Sequence, residues 1–551
     1  MQPTSASPSD SALRLSVDVR TLPWMRPLAI DYAFAHEKLA SFFSGNPAEA
    51  SAWSGAIRRA QRHPRPRAAI VEMLAAQQGR RGSPPEARAA VATLANPGAV
   101  AVVTGQQAGL FGGPLFTLLK ALTAVRLAQR VTRDHGVPAV AVFWIDSEDH
   151  DWDEIAACGV LGPDHTLQRV AVEAPEGAGE RPVASLVYGD AVAQALDALS
   201  ATLPTTEFTP ALLEGLRTAY RPGHGVADSF GRWLDHVLGP HGLIVYDASD
   251  PAAKPFAAPV FRRELEQVGS TTKLAAEAGA ALVGLGYHMQ VTPHEGQAAL
   301  FDLVGGRRAV RAAGDGFLIG DEPVSRSALL DRATTRPETF SPNVLLRPIV
   351  QDTIFPTVCY IAGPSELAYL GQLKGVYEAF GVPMPLIQPR ATATVLDSAG
   401  VRFLTRYKVA LPSLEAQDEH ALNALLRAQL PPAVERSMEE AELEIAARLD
   451  AVIRAVPAID PTLEGAARNT LGKLQHELRN LSGKIVQAAK RRDDTLRRQF
   501  QHVRGQAFPG GAPQERSVGF ISFLNKYGPA FVERLAAELP IDAGTHWVVT
   551  V

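Results

Sequence analysis

Residues 99–145 read AVAVVTGQQAGLFGGPLFTLLKALTAVRLAQRVTRDHGVPAVAVFWI. The opening AVAVV is a short apolar, β-branched run between Pro-Gly and Thr-Gly, the pattern of a buried strand. A glycine-rich loop follows. Pro114 suits the first position of a helix, which runs to about Arg133 and is stopped by Gly136 and Pro138. AVAVFWI at 139–145 reads as a second buried strand. Strand, helix and strand within so short a span make a βαβ unit, so the two strands should be parallel.

The pattern recurs downstream. GLIVYDASDP at 242–251 reads as a strand ending in acids, and TVCYIAGPSELAYLGQLKGVYEAFGVPMPLI at 357–387 as strand, loop, helix and strand. The fold class is therefore α/β, a Rossmann-like parallel-sheet core expected over residues 1–412. Less regular Gly/Pro-rich stretches near 160–235 and 290–350 read as insertions. Within the second, residues 286–310 suggest short antiparallel strands with Gly305-Gly306 at a turn.

From about 413 to 507 the character is helical. Ala467, Leu471, Leu474, Leu478, Leu481, Ile485 and Ala488 keep an alternating four-three spacing, the seam of a coiled coil. Asp460 and Pro461 suit the start of that helix, which would be ~65 Å long if unbroken to about residue 504. The preceding helix, with Ile445, Leu449 and Val452 on one face, is too short to cover it. A homodimer through this seam is expected, beside the alternative of a hairpin closed on itself. The basic stretch KRRDDTLRRQ at 490–499 reads as a solvated helix face. Residues 508–551 look globular and should return to the core.

A chain of 551 residues exceeds one compact core. Its formal net charge of −4 suggests no nucleic-acid or anionic-membrane partner. Two cysteines, Cys158 and Cys359, give neither a disulfide framework nor a cysteine-rich zinc site, and a reduced, cytoplasmic setting is expected. The first residues lack the basic start and apolar run of a signal peptide. Residues 89–119 carry no charge, but their Gly, Pro and Gln residues argue against a membrane span.

In open parallel sheets, ligands bind at the carboxyl ends of the strands. The first strand runs into Gly105, Gln106, Gln107 and Gly109, ahead of a helix N-terminus that can favour an anion. The loop matches no P-loop or dinucleotide fingerprint, and its glycines equally suit a tight turn. The second strand runs into DSEDHDWDE. There Asp146 reads as a binding group, and Glu148, Asp149, His150 and Asp151 as candidates for acid–base work. Acid-rich loops also hold Mg²⁺, although many are merely solvated. Gly363, Ser365 and Glu366 follow a third strand, where Ser365 would otherwise be a helix cap. Arg390 follows a fourth, as a phosphate contact or an ion pair. No protein-ligated metal site is assigned.

These elements together resemble a known family. GQQAGL, EDHD, AGPSELAY, the coiled coil and a closing ISFLNKYG, in this order, are similar to the bacillithiol-forming cysteine ligases. The resemblance implies a core like that of class I nucleotidyltransferases, two connecting insertions and a dimer-forming coiled coil. It implies addition of L-cysteine to glucosaminyl-malate, an amide-forming last step of bacillithiol synthesis. ATP is then the expected activating co-substrate, with no resident cofactor. The chain departs from class I synthetases, having GQQAGL and QPRATAT where those enzymes carry H-x-G-H and K-M-S-K-S. Adenylation is therefore not inherited with the fold. A Mg²⁺-dependent phosphohydrolase using EDHDWDE, and a coiled-coil scaffold without catalysis, are the alternative readings.

Overall fold

The computed structural model describes residues 14–492 and 494–550. The first thirteen residues, on which the signal-peptide reading rests, lie outside that range, as does Asp493 of the basic stretch.

Five parallel strands form the core: β1 (Val100–Gln106), β2 (Ala139–Ile145), β3 (Leu243–Asp247), β4 (Thr357–Ala362) and β5 (Leu386–Pro389). Their order is β5-β4-β1-β2-β3. β1 pairs with β2 in register from Val100–Ala139 to Gln106–Ile145, and β2 with β3 from Ala141–Leu243 to Ile145–Asp247. The β1 and β4 residues Val100 to Val103 and Thr357 to Ala362 are all buried, as parallel strands covered on both faces require. The chain lays β2 and β3 on one side of β1, then returns to lay β4 and β5 on the other. The order thus reverses between β1 and β4, and a crevice opens there at the strands' carboxyl ends.

The helix after the glycine loop, α1, spans Leu115–His135, so Pro114 is its cap rather than its first residue. Gly136 ends it in the left-handed conformation, and Arg133 and His135 complement the dipole of its last turn. Two further core helices carry site residues: α2 (Lys254–Glu266) and α3 (Arg347–Ile354). A short one, α4 (Pro364–Leu370), follows β4.

The insertions differ in kind. Residues 160–235 are more regular than their Gly/Pro content suggests, with helices Ala191–Thr202, Thr209–Ala219 and Val226–Leu238. Pro210 sits in a first helical turn, where a missing N–H costs nothing. The second insertion forms an antiparallel five-stranded sheet in which Gln297–Asp302 pairs with Arg308–Ala313. Gly305 and Gly306 turn between them with positive φ.

The chain divides into two compact units. One comprises the sheet, its insertions and residues 514–549; there Thr545–Val549 pairs antiparallel with Arg14–Asp18. The other, residues 395–513, is helical and so takes in residues 395–412 as well as the coiled-coil stretch. Its long elements are α5 (Pro432–Ala455), α6 (Leu463–Arg492) and α7 (Asp494–Ala507). Asp460 accepts from the Thr462 N–H at 2.8 Å, just ahead of α6. α5 packs on α6, yet Leu474 and Leu481 remain 38% and 48% exposed. No described helix is long and apolar enough to cross a membrane.

Candidate active site

A cleft of about 410 Å³ occupies the crevice between β1 and β4. Its lining includes Gly105, Gln106, Gln107, Asp146, Glu148, Asp149, Gly363, Ser365, Glu366 and Arg390. The sequence therefore delivers residues from four strand ends to one hollow. Gly109, His150 and Asp151 stand outside its lining.

The glycine loop is a constrained turn. A Cβ on Gly105 would meet the Trp144 carbonyl oxygen at 2.7 Å, and one on Gly112 would meet the Phe520 ring at 2.4 Å. The N–H groups of Gly109, Gly112, Gly113 and Leu115 all donate to backbone carbonyls. They are not free to cradle an anion. The polar work of this loop falls to its glutamines instead. Gln107 Nε2 lies 2.8 Å from both Asp149 Oδ2 and Glu154 Oε2, so one amide holds two carboxylates.

The four acid–base candidates separate. Glu148 is buried and ion-paired with Lys254 of α2; burial pushes its carboxyl above the usual range while Lys254 opposes the shift. Burial would also raise Asp149, but hydrogen bonds from Gln107 and from His150, with the charge of Arg307, hold it below the usual range. His150 is half-exposed and its Nδ1 lies 3.1 Å from Arg307 Nη1. The same Nδ1 lies 3.3 Å from Asp149 Oδ1; it accepts in the first contact and donates in the second, so the ring's tautomer selects between them. Asp151 is exposed and accepts from the Glu154 N–H at 3.2 Å, capping the short helix Trp152–Ile155.

Asp146 is distinct. Its carboxylate lines the cleft and, among the described residues, makes no hydrogen bond or ion pair. Burial raises its pKa, against the pull of Arg347. Arg347 of α3 is 8% exposed and donates to Gln351 Oε1 at 3.1 Å and to the Tyr369 hydroxyl at 3.0 Å. Both acceptors are neutral. Among the described residues no carboxylate lies within ion-pair distance of this buried cation.

The other two strand ends are braced. Gly363, not Ser365, is the cap of α4, and Glu366 Oε2 accepts from the Gly363 N–H at 2.7 Å. Glu366 also accepts from Lys120 of α1 at 2.6 Å and from the Tyr360 hydroxyl at 2.7 Å. Burial would raise the Glu366 carboxyl; Lys120 outweighs it and keeps the group below its ordinary range. Arg390 makes a buried bidentate pair with Glu515, at 3.0 and 2.6 Å. Its expected choice between phosphate contact and ion pair thus falls on the ion pair, though the side chain still lines the cleft.

Residues 15–391 match the family described as "Bacillithiol biosynthesis BshC, N-terminal Rossmann-like domain". Residues 393–551 match its C-terminal coiled-coil domain. The chain belongs to the BshC family. Relatives carry the name "Putative cysteine ligase BshC". That of Salinibacter ruber is 34% identical over 535 residues, covering 95% of this chain and 96% of the relative. That of Koribacter versatilis is 32% identical over 526 residues, with 94% and 96% covered. That of Solibacter usitatus is 30% identical over 531 residues, with 96% and 98% covered.

In this BshC-family chain, sequence reasoning passed over Lys120, Arg307, Arg347 and Arg516, which line the cleft, and Lys254, which pairs with Glu148. Two of them had a signal. Lys120 is the sole charge between Ala89 and Val125, and Arg347 the sole charge between Phe340 and Gln351. A lone charge in an apolar run has to be buried against something polar, and here that is the cleft.

Proposed function

We propose that this protein is a cysteine ligase that joins the carboxyl of L-cysteine to the amine of glucosaminyl-malate. The reading is carried by one observation: the cleft at the strand-order reversal holds both the Asp146 carboxylate, which makes no hydrogen bond or ion pair among the described residues, and the Arg347 guanidinium, whose hydrogen bonds go to neutral acceptors. Amide formation needs both functions. A buried guanidinium hydrogen-bonded only to neutral groups can receive a carboxylate or phosphate. A carboxylate of raised pKa can take the proton that the amine loses on attack.

Condensing a carboxylate with an amine in water requires the leaving oxygen to be activated. ATP, brought as its Mg²⁺ complex, is the proposed activator, and the oxygen departs on phosphate. Arg347 holds the cysteine carboxylate during activation. Asp146 then receives the amine proton, and the neighbouring charges of Asp149 and Glu366 favour the transfer. The acids of the EDHDWDE loop favour this role over a phosphohydrolase. Among the described residues they do not converge as three ligand atoms on one point, and Asp151 and Asp153 are exposed. We further propose a cytoplasmic homodimer, joined where Leu474 and Leu481 are exposed.

The test is incubation with cysteine and glucosaminyl-malate, with and without ATP, read by mass spectrometry. The expected product has the mass of both substrates less one water, formed only with ATP. No such product under any nucleotide would overturn the reading.

A further inference from the structure

The loop after β2 is a ridge with a hollow on each side. One hollow is the cleft of Asp146 and Arg347. The other, of about 770 Å³, opens at the carboxyl end of β3 and is lined by Arg181, Asp247, Ser249, Lys254 and the Gly305-Gly306 turn. Glu148 lines both. The ridge is fixed from two directions. Lys254 pairs with Glu148 and donates to the Phe340 carbonyl at 3.0 Å. Ser147 donates to Asp247 Oδ1 at 2.5 Å.

Most charges of the second hollow are already committed: Arg80 to Asp250, Arg81 to Asp235 and Asp228 to Arg232. Two groups are not. Arg181 has no side-chain partner among the described residues. Asp247 uses Oδ1 for Ser147 and Ser249, leaving Oδ2 without a partner among the described residues. A guanidinium suits a ligand carboxylate, and a carboxylate oxygen suits hydroxyl or ammonium donors. The glycine turn lets a bulky ring approach the backbone.

We propose that this second hollow holds the acidic amino sugar, with its amine reaching over the Glu148 ridge to Asp146, while the first cleft holds cysteine and its activating group. The proposal rests on the ligase reading above. Separate hollows with a shared wall let two substrates be bound together and meet at one point, which is where orientation lowers a barrier. They also explain why so many acids follow a buried strand: the loop partitions two binding sites instead of lining one.

The test is calorimetric titration of the full-length protein with glucosaminyl-malate. Arg181→Glu reverses an exposed charge, and Ser249→Phe fills the hollow. Each is expected to raise the Kd at least tenfold, while Arg347→Met shifts it less than threefold. Unchanged binding to both Arg181→Glu and Ser249→Phe would overturn the proposal, as would loss confined to Arg347→Met. If the unaltered protein does not bind glucosaminyl-malate, the ligase reading falls, and the subsite with it.

Discussion

Lys120 and Glu366, 246 positions apart, meet at 2.6 Å beneath the cleft. Lys120 is 1% exposed, and it also reaches the Gly105 carbonyl and, at 3.2 Å, Gln106 Oε1. The contact ties the β1 end to the α4 start across the point where the strand order reverses. It holds the cleft's two walls in register before any ligand arrives.

Removing one partner leaves the other charge buried and alone. Lys120→Met should therefore destabilise the fold by about 3–5 kcal/mol, seen as a lower urea midpoint. The double variant Lys120→Met, Glu366→Gln should recover much of that loss. The pH dependence has a defined sign. The Glu366 carboxyl is depressed in the folded state, so its contribution is present above the ordinary value of 4.5 and lost as pH falls through the lower folded value. The stability difference between the unaltered protein and Glu366→Gln should shrink in acid. A difference constant from pH 7 to pH 3 would show that the pair carries no such linkage.

Asp146→Asn should leave the fold intact and lower kcat by about 10²- to 10⁴-fold, the usual loss for a general base. Burial raises the Asp146 pKa above its ordinary 3.8. The rate should accordingly rise with pH through that higher value and then level, and the limb should vanish in Asp146→Asn. Folding is checked by circular dichroism and the limb by kcat/KM between pH 4 and pH 8. A variant that retains both rate and limb would remove Asp146 from the chemistry.

How much of this was legible in the sequence follows from distance along the chain. β1, α1 and β2 were readable because their signal is local: AVAVV, a proline-led helix and AVAVFWI lie within fifty residues of one another. The strand ends at Gly105, Asp146 and Gly363 followed from the general rule for parallel sheets. The partners were not readable. Lys254 joins Glu148 across 106 positions and Glu515 joins Arg390 across 125. No periodicity encodes such pairings. For the same reason the sequence could group Glu148 with Asp149, His150 and Asp151 as acid–base candidates and Asp146 as a binding group, without showing that Glu148 is paired with Lys254 while Asp146 has no ion pair among the described residues. Burial and pairing decide that difference, and both come from the tertiary fold.

Arg347→Met should raise the KM for cysteine by about 10- to 100-fold with little change in glucosaminyl-malate affinity, since a hydrogen bond to a charged group is worth about 1.5–3 kcal/mol. Arg347→Lys should recover only part, because an ammonium lacks the planar fork that faces Gln351 and Tyr369. Steady-state kinetics with each substrate varied in turn decide it. Equal KM for cysteine in all three proteins would mean that the buried guanidinium is structural.

The last prediction concerns the helical unit. On α6, Leu474 and Leu481 lie in the four-three row yet remain 38% and 48% exposed, while the row's Leu471, Leu478 and Ile485 are more covered. Apolar side chains repeated along one stripe of a long helix lose stabilisation while they face water, about 25 cal/mol for each Å² left uncovered. A second copy of the same stripe would cover them with the spacing that knobs-into-holes packing needs. Glu at both positions should then split the dimer without unfolding the chain, because these side chains already tolerate water in the isolated subunit. Sedimentation velocity should report a dimer for the unaltered protein and a monomer for Leu474→Glu, Leu481→Glu, with the same helical circular dichroism for both. A dimer that survives both substitutions would place the interface on another surface.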